Sequence, residues 1–101
     1  MTNREMLREK LNLDTAKISW GELQRHFAAG HLIAVREGID LVEVALSISS
    51  DERSMVEGWI ASNAIGKVTD EEALSWHESK AVLWAVVVKP WVLVQEARIL
   101  Q

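Results

Sequence analysis

The chain has 101 residues, 49% of them hydrophobic, a formal net charge of −4 and no cysteine. That length is enough for one core without metal or crosslinks, and the missing cysteine excludes disulfides, thiolate metal sites and cysteine nucleophiles. The 11 Lys and Arg residues are scattered, which argues against nucleic acid, and the longest apolar run, Ala81 to Val88, falls short of the ~20 residues of a membrane-spanning helix.

Helix starts are written into the chain in one repeated form, Ser or Thr followed three residues later by Glu: Thr2 and Glu5, Ser19 and Glu22, Ser49 and Glu52, Thr69 and Glu72. In such a capping box the hydroxyl accepts from the backbone N–H at the third helical position, and the carboxylate returns to the cap's own N–H. The first box predicts a helix from about Asn3 to Lys10, with Leu7 and Leu11 inward. The second predicts a helix after Ser19 in which Ile18 staples onto Leu23, Trp20, Leu23 and Phe27 share a face, and Gly30 is the left-handed stop.

From His31 the apolar period changes to two. Val42, Val44, Leu46 and Ile48 alternate with Glu43, Ala45 and Ser47, which predicts a half-buried strand over Asp40 to Ser49. His31 to Arg36 is its expected antiparallel partner, with Glu37 and Gly38 in the turn. The third box predicts a helix from about Ser50 to Ser62, with Met55, Val56, Trp59 and Ile60 on one face and its end at Asn63. Ala64 to Val68 reads equally as a short strand or an ordered loop. A fourth helix follows Thr69, where Asp70, Glu71 and Glu72 face the positive end of its dipole and Ala73, Leu74, Trp76 and His77 are expected inward.

From Ala81 to Glu96 the alternation stops. Val82, Trp84, Val86 and Val88 point one way and Leu83, Ala85 and Val87 the other, the pattern of a strand covered on both faces or used at a subunit contact. Pro90 cannot donate to a ladder, so the strand should reach about Lys89, bend, and resume from Trp91 to Gln95. The expected fold is α+β: a small, mainly antiparallel sheet, made of a hairpin over residues 31–48 and a C-terminal strand over 82–95, packed with about four short helices. Residues 1–101 read as a single domain, with 1–5 and 97–101 expected to fray.

The stretches LREKLNLDTAKISWGELQRHFAAG, DLVEVALSI and LWAVVVKPWVLVQE resemble a family of small bacterial proteins, a domain of unknown function found mainly in proteobacteria and cyanobacteria. The resemblance extends from about Leu7 to Glu96, and the final segment is its most specific part. It implies a bacterial, cytoplasmic setting and carries no activity, cofactor or catalytic residue.

Five tryptophans, Trp20, Trp59, Trp76, Trp84 and Trp91, are the most unusual compositional feature. Tryptophan is most often core, but it is also favoured as an interface anchor. Trp84 and Trp91 fall on opposite faces if the last segment stays extended, and Trp91 is the one expected to be exposed. Glu22 and His26 lie one helical turn apart without a third ligand at a recognised spacing. Asp14, Asp40 and Glu43 form no carboxylate pair in this reading, and Ser47, Ser49 and Ser50 belong to no nucleophile pattern. No glycine loop for phosphate is present.

The leading functional expectation is a non-enzymatic cytoplasmic module, a homodimer formed through the apolar C-terminal segment, with Trp20, His77, Trp84 and Trp91 as candidate interface or pocket residues. The rival is a small-molecule binder or small enzyme with a Trp- and His-lined pocket. A winged-helix nucleic-acid binder, with Arg25 and Arg36 on phosphates, ranks last because it lacks a third helix before the wing and a basic surface. Neither catalytic residue, cofactor, metal nor membrane is implied.

Overall fold

The computed structural model describes residues 2–36 and 38–97. Met1, Glu37 of the expected turn and residues 98–101 of the expected C-terminal fray lie outside the described residues. The described chain runs α1 (Asn3–Asp14), β1 (Ala16–Ser19), α2 (Trp20–Ala28), β2 (Leu32–Val35), α3 (Leu41–Ser49), α4 (Arg53–Ala61), β3 (Ile65–Lys67), α5 (Asp70–Ser79), β4 (Val82–Val88) and β5 (Trp91–Glu96). The fold is α+β.

The four boxes have different fates. Thr69 forms the complete box, its hydroxyl accepting from Glu72 N at 3.1 Å and its own N–H donating to Glu72 Oε1 at 3.0 Å. Thr2 makes the hydroxyl half, from Glu5 N at 3.1 Å. Ser19 occupies the cap position without a side-chain hydrogen bond, and Trp20 N donates to Ala81 O at 2.9 Å instead. Ser49 caps nothing: it is the last residue of α3, and Glu52 stands at the cap of α4. Gly30 is left-handed after α2, with φ 78°, and Asn63 after α4, with φ 63°.

The expected hairpin over 31–48 does not form, because Asp40 to Ser49 is helix rather than strand. Asp40 caps α3, its carboxylate accepting from Val42 N at 3.0 Å. Leu41, Val44 and Ala45 are buried and Ile48 half-buried along one stripe. A run apolar at every second position also contains i, i+4 pairs, so a nine-residue segment satisfies both periods, and packing decides between them. β2 instead pairs antiparallel with β3 and parallel with β5, so 65–67 is a strand. Among the described residues, the wing on which the nucleic-acid comparison rested is therefore absent, and five helices replace the expected four.

The chain turns back at Lys89 and Pro90, and the C-terminal segment, expected as one bent strand, is two antiparallel strands with Trp84 opposite Gln95 and Val88 opposite Trp91. The sheet order is β1-β4-β5-β2-β3, antiparallel except for the β2–β5 pair. It is mixed, with helices on both faces. On one face Trp20, Leu23 and Trp76 of α2 and α5 cover Leu83, Ala85 and Val94. On the other, Leu11, Leu41, Val44 and Leu46 of α1 and α3 cover Val86, Val88 and Leu93. The cover is staggered along β4: Val82 and Trp84 on the second face stay 46% and 38% exposed, and Val87 on the first stays 56% exposed.

Candidate binding cleft

β2 and β5 run side by side in the same direction, and a cleft of about 460 Å³ opens where both end. The carboxyl ends of parallel strands are where open sheets commonly bind ligands, since the chain leaves the sheet there and loops diverge. Arg36 follows β2, and Gln95 and Glu96 close β5. Trp84 contributes one wall, and Glu72 and Trp76 of α5 contribute another.

Arg36 acts as a clasp. Its Nη1 donates to Asn63 Oδ1 at 3.2 Å and Asn63 O at 3.3 Å, and its Nη2 to Glu72 Oε1 at 3.0 Å and Lys67 O at 3.4 Å. It thereby ties the end of β2 to both ends of β3 and to the start of α5. The guanidinium lies across Gly66, where a Cβ would stand 3.1 Å from Nη1, so a larger residue there would push the clasp aside. Burial works to raise the Glu72 carboxyl, but hydrogen bonds from Arg36 and Thr69, together with the Arg36 charge, outweigh it and hold the group below the usual carboxylate range.

Glu96 Oε1 accepts from Trp76 Nε1 at 2.8 Å, which fixes the direction of the side chain at the rim. Gln95 Nε2 donates to Ile39 O, pinning the 38–40 loop over the other side of the mouth. On β1, opposite Trp84, Lys17 holds its ammonium 5.1 Å from the indole centroid.

A wider and more open groove of about 660 Å³ lies among α1, α3 and α4. Arg4 pairs there with Glu52, and beside it Arg8 pairs with Glu43. The Glu52 carboxyl is held low chiefly by the Ser47 hydroxyl and then by Arg4, against a smaller opposing effect of burial. Among the described residues no group of three or more His, Cys, Asp or Glu is arranged to hold a metal ion.

The expected site residues are spread over the molecule. Trp20 is buried at 3% exposure, with its ring 5.7 Å from Phe27 and 5.6 Å from Trp76, and its Nε1 has no hydrogen-bond partner among the described residues. His77 is exposed rather than inward, at hydrogen-bonding distance from Gln24 (Nδ1 to Nε2, 3.2 Å), and Leu74 beside it is 59% exposed. Trp91, the tryptophan expected outside, is half-buried against the second cluster, with the His31 ring edge-on at 6.3 Å. Trp84 is the more exposed of the two and lines the cleft.

The cleft's Glu72, Gln95 and Glu96 were not singled out by the sequence as site residues. Glu72 reads fully as a capping residue, and nothing local announces its tie to Arg36. Arg36, read as a phosphate contact, is occupied by Glu72 and Asn63.

No curated protein matches the chain. The NMR solution structure of PA1075 from Pseudomonas aeruginosa is similar to it, with 43% identity and a TM-score of 0.82 over 98% of this chain and 93% of that one. The family described as a protein of unknown function (DUF2288) matches residues 6–96, and the chain belongs to that family.

Proposed function

We propose that the protein is a non-enzymatic interaction module that self-associates through the uncovered half of the β4 face. The observation that carries this is the exposure of Val82 and Trp84, neighbours on one face of a strand whose other end, at Val86 and Val88, is buried under helices on that same face. A twofold contact needs a patch complementary to itself. This one carries an indole flanked by Lys17 and by Gln95, its cross-strand neighbours on the same face, so two copies can meet apolar to apolar with polar groups at the rim. A cytoplasmic setting suits a chain without cysteine.

The ion pairs favour a structural use of the charged groups over acid–base chemistry. Glu52 and Glu72, whose ionisation is displaced, are moved away from neutrality, whereas a general acid or base at neutral pH needs the opposite shift. Arg4, Arg8 and Arg36 each face a carboxylate, which speaks against a surface for phosphates. Sedimentation velocity over a dilution series tests the proposal. A dimer that dissociates on dilution and is lost in Val82→Asp, but kept in the opposite-face variant Val87→Lys, supports it; a monomer at every concentration overturns it.

A second reading, a small-molecule binder, is favoured by the cleft itself: about 460 Å³ with two indoles in its wall is within the range of ligand pockets.

A further inference from the structure

We propose that the free edge of β1 docks an extended, acidic segment of another protein, added to the sheet beside it as a further strand. β1 is the last strand on its side, and its Ala16, Lys17 and Ser19 are exposed. Its register with β4 says which backbone groups point outward. Trp20 N donates to Ala81 O at 2.9 Å, and the next residues opposite each other are Ser19 and Val82, Ile18 and Leu83, Lys17 and Trp84. Hydrogen-bonded and non-bonded pairs alternate along an antiparallel ladder, so Ile18 turns its N–H and C=O to β4, whereas Lys17 and Ser19 turn theirs to solvent. The opposite edge is less open. By the same alternation, counted from Arg36 N to Ala64 O at 2.8 Å, the carbonyl of Lys67 points away from β2, and there it accepts from Arg36 Nη2 at 3.4 Å.

Charge selects the partner. Among the described residues no carboxylate pairs with Lys17, whose ammonium rests 5.1 Å from the Trp84 centroid on the inner side of the strand. A lysine on an edge discourages indiscriminate strand pairing. What it admits is a strand with a carboxylate at the position opposite, since unlike charges across strands attract. A second copy of this chain answers the edge poorly. The symmetric antiparallel pairing that satisfies the Lys17 N–H and C=O sets Lys17 against its own equivalent, like charge on like. Moving the register to set Lys17 against Ser19 calls on the Ser19 carbonyl, which at the cap of α2 already accepts the first helical bond. On the incoming strand the neighbours of the acid fall on the other face, beside Ala16 and Ile18, where β-branched apolar residues fit. Main-chain bonds supply the affinity of such strand addition and alternate side chains its selectivity. The edge is distinct from the side-chain face of β4 used in the proposed self-association.

The test is a titration of the ¹⁵N-labelled full chain, dilute enough to be monomeric, with the acetylated and amidated pentapeptide Thr-Val-Glu-Val-Thr. Its symmetric sequence presents the same side chains in either strand direction. The expected result is saturable shifts of the Lys17 and Ser19 amides and the Trp84 indole N–H, with Gly66 and Lys67 of the other edge unmoved. The same peptide with lysine in place of glutamate should bind about fivefold more weakly. Lys17→Glu should reverse that preference, an outcome that general loosening of the fold would not produce. Ser19→Pro removes an outward donor at a residue whose φ of −69° proline adopts, and it should weaken the acidic peptide about fivefold. Equal binding of the two peptides, or a preference that Lys17→Glu leaves unchanged, overturns the acidic partner. Binding indifferent to Ser19→Pro, shifts confined to Val82 and Trp84, or no shift at all overturns the edge as the docking site.

Discussion

The two halves of β4 differ in one respect that matters. At Val86 and Val88 the face under α1 and α3 is closed, yet two residues earlier on the same face Val82 and Trp84 meet solvent. The strand is equally apolar along its length, so hydrophobicity alone does not say which half is core. What separates them is the reach of the helices: α3 packs over β4 and β5 at the 86–93 end, and among the described residues no helix covers Val82 and Trp84. A closed half contributes to folding, and an open half of the same composition remains available for a partner.

The largest effect should come from breaking the closed half. Leu93, opposite Val86 in the same cluster, is fully buried, and truncating it to alanine should cost about 2–5 kcal/mol, measured by urea unfolding. Val82→Ala should stay within about 0.5 kcal/mol for the monomer. Equal losses at Val82 and Leu93 would erase the distinction.

Next is the clasp at the cleft. Arg36→Met removes the partner of Glu72 and the ties to Asn63 and Lys67, and because the pair is only partly buried the loss should be about 1–2 kcal/mol. The same contact sets a pH dependence. Because the folded Glu72 carboxyl ionises below its unfolded value, its contribution is complete above the unfolded pKa and is lost as pH falls through the lowered folded one. Acid titration of stability should therefore be shallower in Glu72→Gln; an unchanged slope would contradict the assignment.

Caps give the smallest effects. Thr69→Ala, at the complete box, should cost about 1 kcal/mol, and Ser19→Ala, at a cap without a side-chain bond, close to nothing. Thermal or urea unfolding of the two variants side by side reads the difference directly.

Those caps also indicate what is legible in the chain. Thr69, Thr2 and Gly30 each carry their instruction within a few residues, and the double-sided apolar stretch reads as extended with a bend at Pro90, whereas the chain there turns back into two antiparallel strands. Asp40 to Ser49 misleads because its spacing fits two periods, and the discriminating signal is the cap: Asp40 followed by Glu43 is the same start signal with a carboxylate in place of the hydroxyl. β1 leaves no trace because a short edge strand, with three of its four residues exposed, has no alternation to read. The cleft is least legible. Arg36 and Glu72 stand 36 residues apart and Trp76 and Glu96 stand 20 apart, so their meeting is a product of the β2–β5 pairing and not of any motif. Trp84 was visible as a candidate; its exposure relative to Trp91 depends on where α3 ends over the sheet.

The most direct test of the open half of β4 as the working surface is the concentration dependence of residue-resolved NMR signals from low micromolar to millimolar protein. The account predicts that the Trp84 indole and the Val82 amide shift together on concentration while Trp20 and Val88 remain fixed. Constant positions for Trp84 and Val82, or shifts centred on α4 or the α1–α3 groove, would contradict it.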